Sequence, residues 1–429
     1  MTSAGRDVVE RPADVEGAAP AQQPAPGKPE RRLIWLLGPA FVAAIAYVDP
    51  GNVAANLTAG SSYGYLLVWV LVVANVMAVL IQYLSAKLGL VTGKSLPQLL
   101  GDRLPRAGRL AYWVQAEVVA AATDLAEVIG GAIALQILFG VPLLLGGLIV
   151  GVISTILLVV QSRGGQRPFE FVIMGLLAVI ATGFVAGLLV SPVSPGDVIG
   201  GLVPRFEGTE TVLLAAGMLG ATVMPHAIYL HSGLARDRHG LSESVARTGR
   251  LLRATRWDVV IALVIAGSVN IAMLLLAAAS LRGVDGTDTI QGAHAAITAS
   301  LGPVIGAIFG IGLLASGLAS TSVGCYAGST IMGGLLRLRV PLLVRRVVTL
   351  IPALIVLAIG FDPTRALVLS QVLLSIGIPF ALIPLVVYTN SRVLMGPFVN
   401  RRVVSVLAWV VTALIVLLNL ALIVLTLLG

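Results

Sequence analysis

Charged residues are scarce in this chain. Asp, Glu, Lys and Arg together make up only 11% of its 429 residues, whereas soluble domains carry about 25%. Hydrophobic residues reach 57%, and the mean hydropathy is +0.98. These values exclude an ordinary soluble domain and predict an all-α integral membrane protein.

Cysteine is almost absent. The single Cys325 excludes an intramolecular disulfide and any multi-cysteine metal site. The chain also lacks a His-Glu-x-x-His motif and a nucleophile–base pairing, which argues against an intramembrane metalloenzyme, so we expect no enzyme and no permanent cofactor. The net charge of +8 does not indicate a nucleic-acid partner, because the topology explains where the charges lie.

Apolar stretches of roughly 17–25 residues have the length of a membrane helix. Counting them predicts about 11 transmembrane helices, so we expect the protein to be embedded in the lipid bilayer. They fall at residues 34–59, 65–91, 110–138, 142–161, 168–190, 211–234, 256–281, 303–335, 341–360, 364–388 and 403–428.

The basic residues support this count. If the N-terminus is cytoplasmic and each stretch crosses once, all but three of the 28 Lys and Arg residues lie on the inner side; the exceptions are Arg205, Arg282 and Arg365. This is the positive-inside pattern. It predicts a multi-pass protein of the cell membrane with an extracytoplasmic C-terminus. The Pro- and Ala-rich segment 1–32 reads as a disordered cytoplasmic tail, and 33–429 as the membrane domain.

The first predicted helix is interrupted by Asp49-Pro50-Gly51-Asn52. An ionisable group inside a membrane helix costs about 2.5–3.5 kcal/mol on insertion scales, so a function is expected for it. The alternative is a short outer loop after a helix that ends early. That alternative leaves residues 53–59 as a segment too short to form a helix of its own.

The sixth predicted helix is interrupted in the same way, at Met224-Pro225-His226. Corresponding broken helices in two halves of opposite orientation indicate an inverted-repeat transporter with its site at the midplane. The repeats would be approximately 33–190 and 211–388, with an extra helix at approximately 403–428. Two such halves form a complete pathway, which favours a functional monomer over an oligomeric channel pore.

Each proline removes the N–H that would bond the carbonyl four residues earlier. The carbonyls of Ala46 and Ala221 are therefore expected to face protein, water or an ion. Together with Asp49, Asn52 and the Met224 thioether they would form a site for a divalent transition metal such as Mn²⁺ or Fe²⁺. The alternative for Met224 is a residue that fills a gap in the core.

The third helix carries Glu117, Asp124 and Glu127 on roughly one face, and Arg345 and Arg346 in the ninth are the nearest plausible cations. Intramembrane carboxylates arranged in this way usually form a proton relay. The alternative is a static network of salt bridges that holds the helices together.

Four further polar residues lie in predicted helices. His226 and His231 are five residues apart, about 500° around a helix, so they are not expected to grip one ion together. Each is either a hydrogen-bonded core residue or a contributor to the pH dependence or proton coupling of transport. Gln371 and Asn270 are isolated amides of the kind that join helices.

The two interruptions together resemble the Nramp family (natural resistance-associated macrophage proteins), whose bacterial members are of the MntH type. The similarity covers nearly the whole chain after residue 33. It includes Gly38-Pro39-Ala40-Phe41 and Ala122-Thr123-Asp124-Leu125-Ala126-Glu127. Two glutamines of the family signature are replaced here, near Leu318 and at Ser329.

This resemblance implies a LeuT-like fold and proton-coupled symport of Mn²⁺, Fe²⁺ and related ions into the cytoplasm. It implies metal ligands at Asp49, Asn52 and Met224 with the Ala46 and Ala221 carbonyls, and an approach of Gln371 when the site opens outward. It also implies a proton route from Asp49 through Asp124 and Glu127. A sodium-coupled amino-acid transporter could use the same architecture, but Asp49 would repel a substrate carboxylate.

Overall fold

Helices occupy all eleven predicted stretches. The computed structural model describes residues 38–240, 244–287, 289–338 and 340–428, so the predicted tail at 1–32 lies outside the described residues. The helices are α1 Pro39–Ile45, α2 Pro50–Tyr63, α3 Val68–Thr92, α4 Leu96–Arg103, α5 Arg106–Phe139, α6 Leu143–Gly164, α7 Gln166–Val190, α8 Pro195–Gly200, α9 Gly208–Thr222, α10 Pro225–His239, α11 Val245–Ser280, α12 Ile290–Leu301, α13 Pro303–Leu335, α14 Leu342–Ala358, α15 Pro363–Thr389, α16 Arg392–Met395 and α17 Arg402–Leu428.

Eight helical segments in the described ranges are long and apolar enough to cross a membrane, with α9 and α10 counted as one segment. The other three predicted spans are not among these eight segments. The first is divided into α1 and α2, and the fourth and ninth are α6 and the 17-residue α14. The chain is therefore an all-helical, multi-span membrane protein.

Both predicted interruptions are real breaks in the helical backbone. After the 3-10 turn Ala46–Val48, Asp49 is extended (φ −78°, ψ 167°), and Pro50 begins α2. In the sixth helix, Val223 and Met224 leave the helical conformation, and Pro225 begins α10. Proline disfavours the helical conformation in the residue before it and suits the first position of a new helix, so each proline ends one helix and starts the next.

The broken helices lie among the longest helices of the fold. The first broken helix packs against α11, and α10 packs against α3 and α13. The N-terminus of α1 is capped by a residue of another helix. The Gly38 and Ala40 N–H groups donate to the two carboxylate oxygens of Asp258 in α11, both at 3.0 Å. A carboxylate in this position satisfies exposed N–H groups and suits the positive end of the helix dipole.

Candidate metal centre

Asp49 is held at the first break by its own helix. Its Oδ1 accepts the Asn52 backbone N–H at 2.9 Å, which makes Asp49 the N-cap of α2. The side chain is fully buried, and Oδ2 has no hydrogen-bond partner within the described part of the chain. A buried carboxylate with one oxygen fixed and the other unpaired is suited to bind a cation.

Asn52 connects the two breaks. Its Nδ2 donates to Asp49 Oδ1 at 2.5 Å and to the Ala221 carbonyl at 3.0 Å, whereas its Oδ1 has no partner among the residues described. The structure therefore brings Asp49, Asn52 and Ala221 together at the two breaks. It adds that the Ala221 carbonyl, freed by Pro225, is occupied by the Asn52 amide.

The remaining predicted ligands lie at the same two breaks. Ala46 is in the 3-10 turn just before Asp49, and Met224 immediately precedes Pro225; both are completely buried. Gln371 packs on the backbone of Gly51, where an added Cβ would overlap its amide nitrogen and lie 3.1 Å from Asp49 Oδ2. Neither polar atom of the Gln371 side chain has a partner within the described ranges. Gln371 thus borders the site.

Two side chains that were not predicted as part of the site donate hydrogen bonds to backbone carbonyls at the first break. Asn270 in α11 donates to the Tyr47 carbonyl at 2.7 Å and accepts from Asn56 in α2 at 2.9 Å. Ser316 in α13 donates to the Val48 carbonyl at 2.5 Å. The sequence marked Asn270 only as a polar residue that joins helices, and nothing distinguished Ser316 from other small residues of its helix.

A cavity of about 470 Å³ leads to the site from one side. Gly51 and Gln371 lie at its inner part, and Tyr63 and Glu210, joined by a 2.8 Å hydrogen bond, also line it. On the opposite side of the breaks, every residue of α1 and the first eleven residues of α10 are buried. The cavity therefore reaches the first break from the side on which α2 and α9 lie.

The site has a single strong anion. No group of three or more His, Cys, Asp or Glu side chains capable of holding a metal is found in the described ranges. Any bound ion would therefore depend on Asp49 together with amide, carbonyl and thioether donors. That donor set fits a divalent transition metal better than a site built for Ca²⁺.

Two acids of the third membrane helix, α5, form ion pairs with the two arginines named from the sequence. Arg346 donates to Asp124 at 2.5 Å with both side chains buried, and Arg345 pairs with Glu117 at 2.8 Å. Glu127 is fully buried, and neither of its oxygens has a partner among the described atoms. Two of the three acids thus form ion pairs with arginine, whereas Glu127 forms none with the residues that the structure describes.

The two histidines have different surroundings. His231 Nδ1 lies 2.8 Å from Gln82 Oε1, and Gln82 Nε2 donates to the Tyr47 hydroxyl at 2.7 Å. Because the Gln82 oxygen only accepts, His231 must carry its proton on Nδ1. His226 is buried with no partner for either ring nitrogen within the described chain, so the two rings do not share an acceptor.

Comparison with known proteins gives one consistent result. Residues 40–425 match the family described as "Natural resistance-associated macrophage protein-like". The chain is 62% identical over 395 residues to the divalent metal cation transporter MntH of Mycobacterium tuberculosis, covering 92% of each chain. It is 49% identical over 397 residues to the protein of that name from Klebsiella pneumoniae, covering 92% of this chain and 95% of the relative.

Comparison with solved structures gives the same family. The Eremococcus coleocola manganese transporter, crystallised with an aromatic bis-isothiourea compound, superposes with a TM-score of 0.84 at 32% identity over 90% of this chain and 86% of that chain. Mhp1, a nucleobase-cation-symport-1 family transporter, gives a TM-score of 0.58 at 18% identity, covering 90% and 91% of the two chains. The second likeness concerns the fold alone.

Proposed function

The chain belongs to the Nramp family, and from that premise we propose that it is a proton-coupled importer of divalent transition metal ions, Mn²⁺ and Fe²⁺ among them. The observation that carries the proposal is the pair of helix breaks. At these breaks Asp49 Oδ2 and Asn52 Oδ1 are buried and unpaired among the described residues, and Asn52 Nδ2 donates to the Ala221 carbonyl.

The fold we propose is LeuT-like, with eleven membrane crossings. Inverted repeats of five helices would run approximately over 33–190 and 211–388, followed by α17. The likeness to Mhp1 in fold supports this arrangement, as do the matching breaks in the first and sixth helices. The N-terminus would be cytoplasmic and the C-terminus extracytoplasmic in the cell membrane, and one chain would be the working unit.

Metal binding would begin from the outer cavity. A cation that loses its hydration water would bind Asp49 Oδ2, the Ala46 and Ala221 carbonyls and the Met224 sulfur. Asn52 would turn its amide so that Oδ1 replaces Nδ2, because an N–H donor cannot face a cation. Gln371, which already packs on Gly51, would add a ligand while the site is open outward.

Asp49 would also link the metal to the proton. A cation bound to its carboxylate disfavours protonation, so a proton held there would be released as the metal enters. Glu127, which lies within electrostatic reach of both Asp49 and Asp124, is the nearest acceptor we propose. The ion pairs Asp124–Arg346 and Glu117–Arg345 would continue the route along α5.

Alternating access would follow from the same breaks. The outer half-helices α2 and α9 line the open cavity, and the inner half-helices α1 and α10 are buried. Opening inward would require α1 to leave its anchor on Asp258. His226 and His231 on α10 are proposed to influence the pH dependence of that step. The membrane potential assists cation entry by about 2.3 kcal/mol per charge per 100 mV.

Uptake into proteoliposomes tests the proposal. Wild-type protein should carry Mn²⁺ inward and acidify the lumen, as followed by a metal-sensitive and a pH-sensitive dye in the same vesicles. Asp49→Ala should abolish both signals. Asp102→Asn, which removes a carboxylate on the exposed cytoplasmic side, should retain them. Mn²⁺ uptake by Asp49→Ala at the wild-type rate would refute the site.

A further inference from the structure

Glu170 is a buried carboxylate that neither the proposed metal site nor the proposed proton route uses. It lies near the start of α7, at the end of that helix which the proposed topology places in the cytoplasm, and only 3% of it is exposed. Burying a charge costs free energy unless the charge is paired and hydrogen-bonded. The partners of Glu170 therefore indicate what it does.

On one side Glu170 is joined to the inner half of the sixth helix, α10. Its Oε2 lies 3.6 Å from Arg238 Nε, in an ion pair whose side chains are both largely buried. Its Oε1 accepts a hydrogen bond from Gln166 Nε2 at 2.8 Å, and the same nitrogen donates to the Leu234 carbonyl of α10 at 3.3 Å. Glu170 thus holds α10 directly through Arg238 and indirectly through Gln166.

On the other side Glu170 packs against the start of α1, the inner half of the first broken helix. A Cβ added to Gly38 would overlap Glu170 Oε2, and Gly38 has a φ of +145°, which side chains other than glycine rarely adopt. The Gly38 N–H donates to Asp258 of α11 at 3.0 Å. Carboxylates from two unbroken helices, α7 and α11, therefore meet at the residue from which α1 begins.

Arg238 is the cation that both carboxylates share. It lies within electrostatic reach of Asp258 as well as of Glu170, and the two carboxylates lie within electrostatic reach of each other. Two like charges in one place disfavour each other, and a nearby cation offsets that repulsion. The carboxylates that hold the start of α1 therefore depend on an arginine that belongs to α10.

We infer that Glu170 is a positioning residue that couples the two inner half-helices, so that α1 and α10 are released together when the transporter opens inward. The inference rests on the proposed function, because alternating access is what moves these two segments. The turn that contains Ala46 follows α1, and Met224 directly precedes α10. Joint release therefore opens the metal site at both breaks at once.

Hydrogen–deuterium exchange of the full chain in lipid nanodiscs, without added metal, tests this coupling. E170Q keeps the shape of the side chain and removes its charge. It should speed exchange of the backbone amides of both α1 and α10 about tenfold, because the loss of a charge-assisted contact changes an opening equilibrium by about that factor. D258N removes an anchor of α1 alone and should act mainly there. The control D102N removes a carboxylate that pairs with Arg337 and should change neither segment.

Two further measurements separate coupling from a purely structural role. E170Q should raise the apparent KM for external Mn²⁺ in proteoliposomes, because the outward-facing state becomes less populated. A variant with less folded protein would instead lower the maximal rate at unchanged KM. G38A, whose added methyl group overlaps Glu170 Oε2, should also speed exchange in α1, whereas G175A adds a methyl group with nothing within 4 Å and should not.

Two results would overturn the inference. Unchanged exchange in α10 of E170Q would show that Glu170 does not hold that half-helix. Equal acceleration in every helix, with a lower unfolding temperature, would show general destabilisation instead of release of the two inner segments. Amide exchange does not require metal transport, so a failure of the coupling is distinguishable from a failure of the proposed function.

Discussion

Asn52, in the first broken helix, donates from Nδ2 to the carbonyl oxygen of Ala221 in the sixth, at 3.0 Å. This hydrogen bond joins two half-sites that are 169 residues apart in the chain. The same nitrogen bonds Asp49, so one amide group occupies the space between the carboxylate and the carbonyl. In the proposed binding step, a cation that enters this space would displace the N–H, so Asn52 would have to rotate its amide.

The Met224 thioether should set the metal preference. In Met224→Ala the site keeps its oxygen donors, which suit Ca²⁺ and Mg²⁺, and loses the soft donor that favours transition metals. We expect these ions to inhibit Mn²⁺ uptake at lower concentration than in wild-type protein. Competition assays in proteoliposomes measure this, and unchanged inhibition would assign Met224 to packing alone.

The close approach of α5 to the first break depends on Gly130. A Cβ at this position would overlap the ring of Pro50, which follows Asp49. Gly130→Ala should therefore displace Pro50, reduce Mn²⁺ uptake at least tenfold and destabilise the protein by about 1–3 kcal/mol.

Gly175→Ala is the matched control, because nothing lies within 4 Å of a Cβ there. It should retain uptake and be slightly more stable, by about 0.5–1 kcal/mol, as helical alanine loses less entropy than glycine. If the two variants behaved alike in uptake and in thermal unfolding, the contact with Pro50 would have no effect on the site.

The buried pair of Arg346 and Asp124 should be sensitive to the loss of one partner. Arg346→Gln leaves a carboxylate uncompensated in the membrane interior, which typically costs about 3–5 kcal/mol. Arg337→Gln removes a partner of Asp102 in an exposed pair, where the cost is about 0–1 kcal/mol. Chemical denaturation in detergent compares the two. Similar losses of stability would mean that burial does not strengthen the inner pair.

Asp102 should contribute stability that depends on pH. The hydrogen bond from Lys94 at 2.7 Å, supported by Arg337 at 3.0 Å, lowers the pKa of this carboxyl below its ordinary value. The contribution is present above the unfolded-state pKa of about 4 and is lost as pH falls through the lower folded-state pKa.

Wild-type protein should therefore be more stable than Asp102→Asn at neutral pH, by less than about 1 kcal/mol because the pair is exposed. The difference should decrease as pH falls below the unfolded-state pKa of about 4 and disappear once the folded-state carboxyl is also protonated. Thermal unfolding of both proteins as a function of pH measures it. A difference that stays constant with pH would contradict the assignment.

The residues of the proposed proton route were predictable in part. Their types and spacing placed Glu117, Asp124 and Arg346 in membrane helices, where only opposite charges could satisfy one another. The exact partners depend on how α14 packs on α5, which no local pattern specifies. That Glu127 has no arginine partner in the described structure, unlike its neighbours, is visible only in the fold.

The sequence by itself determined the membrane helices, the two breaks and the residues at them. Apolar length, proline geometry and an isolated carboxylate act within a few residues, so Pro50 and Pro225 specify where each helix ends. Only the tertiary structure decided that Asn270 and Ser316 hold the Tyr47 and Val48 carbonyls, that Asn52 reaches Ala221, and that the cavity opens on one side. These contacts join positions some 170 to 270 residues apart, and small rotations of packed helices make or break them.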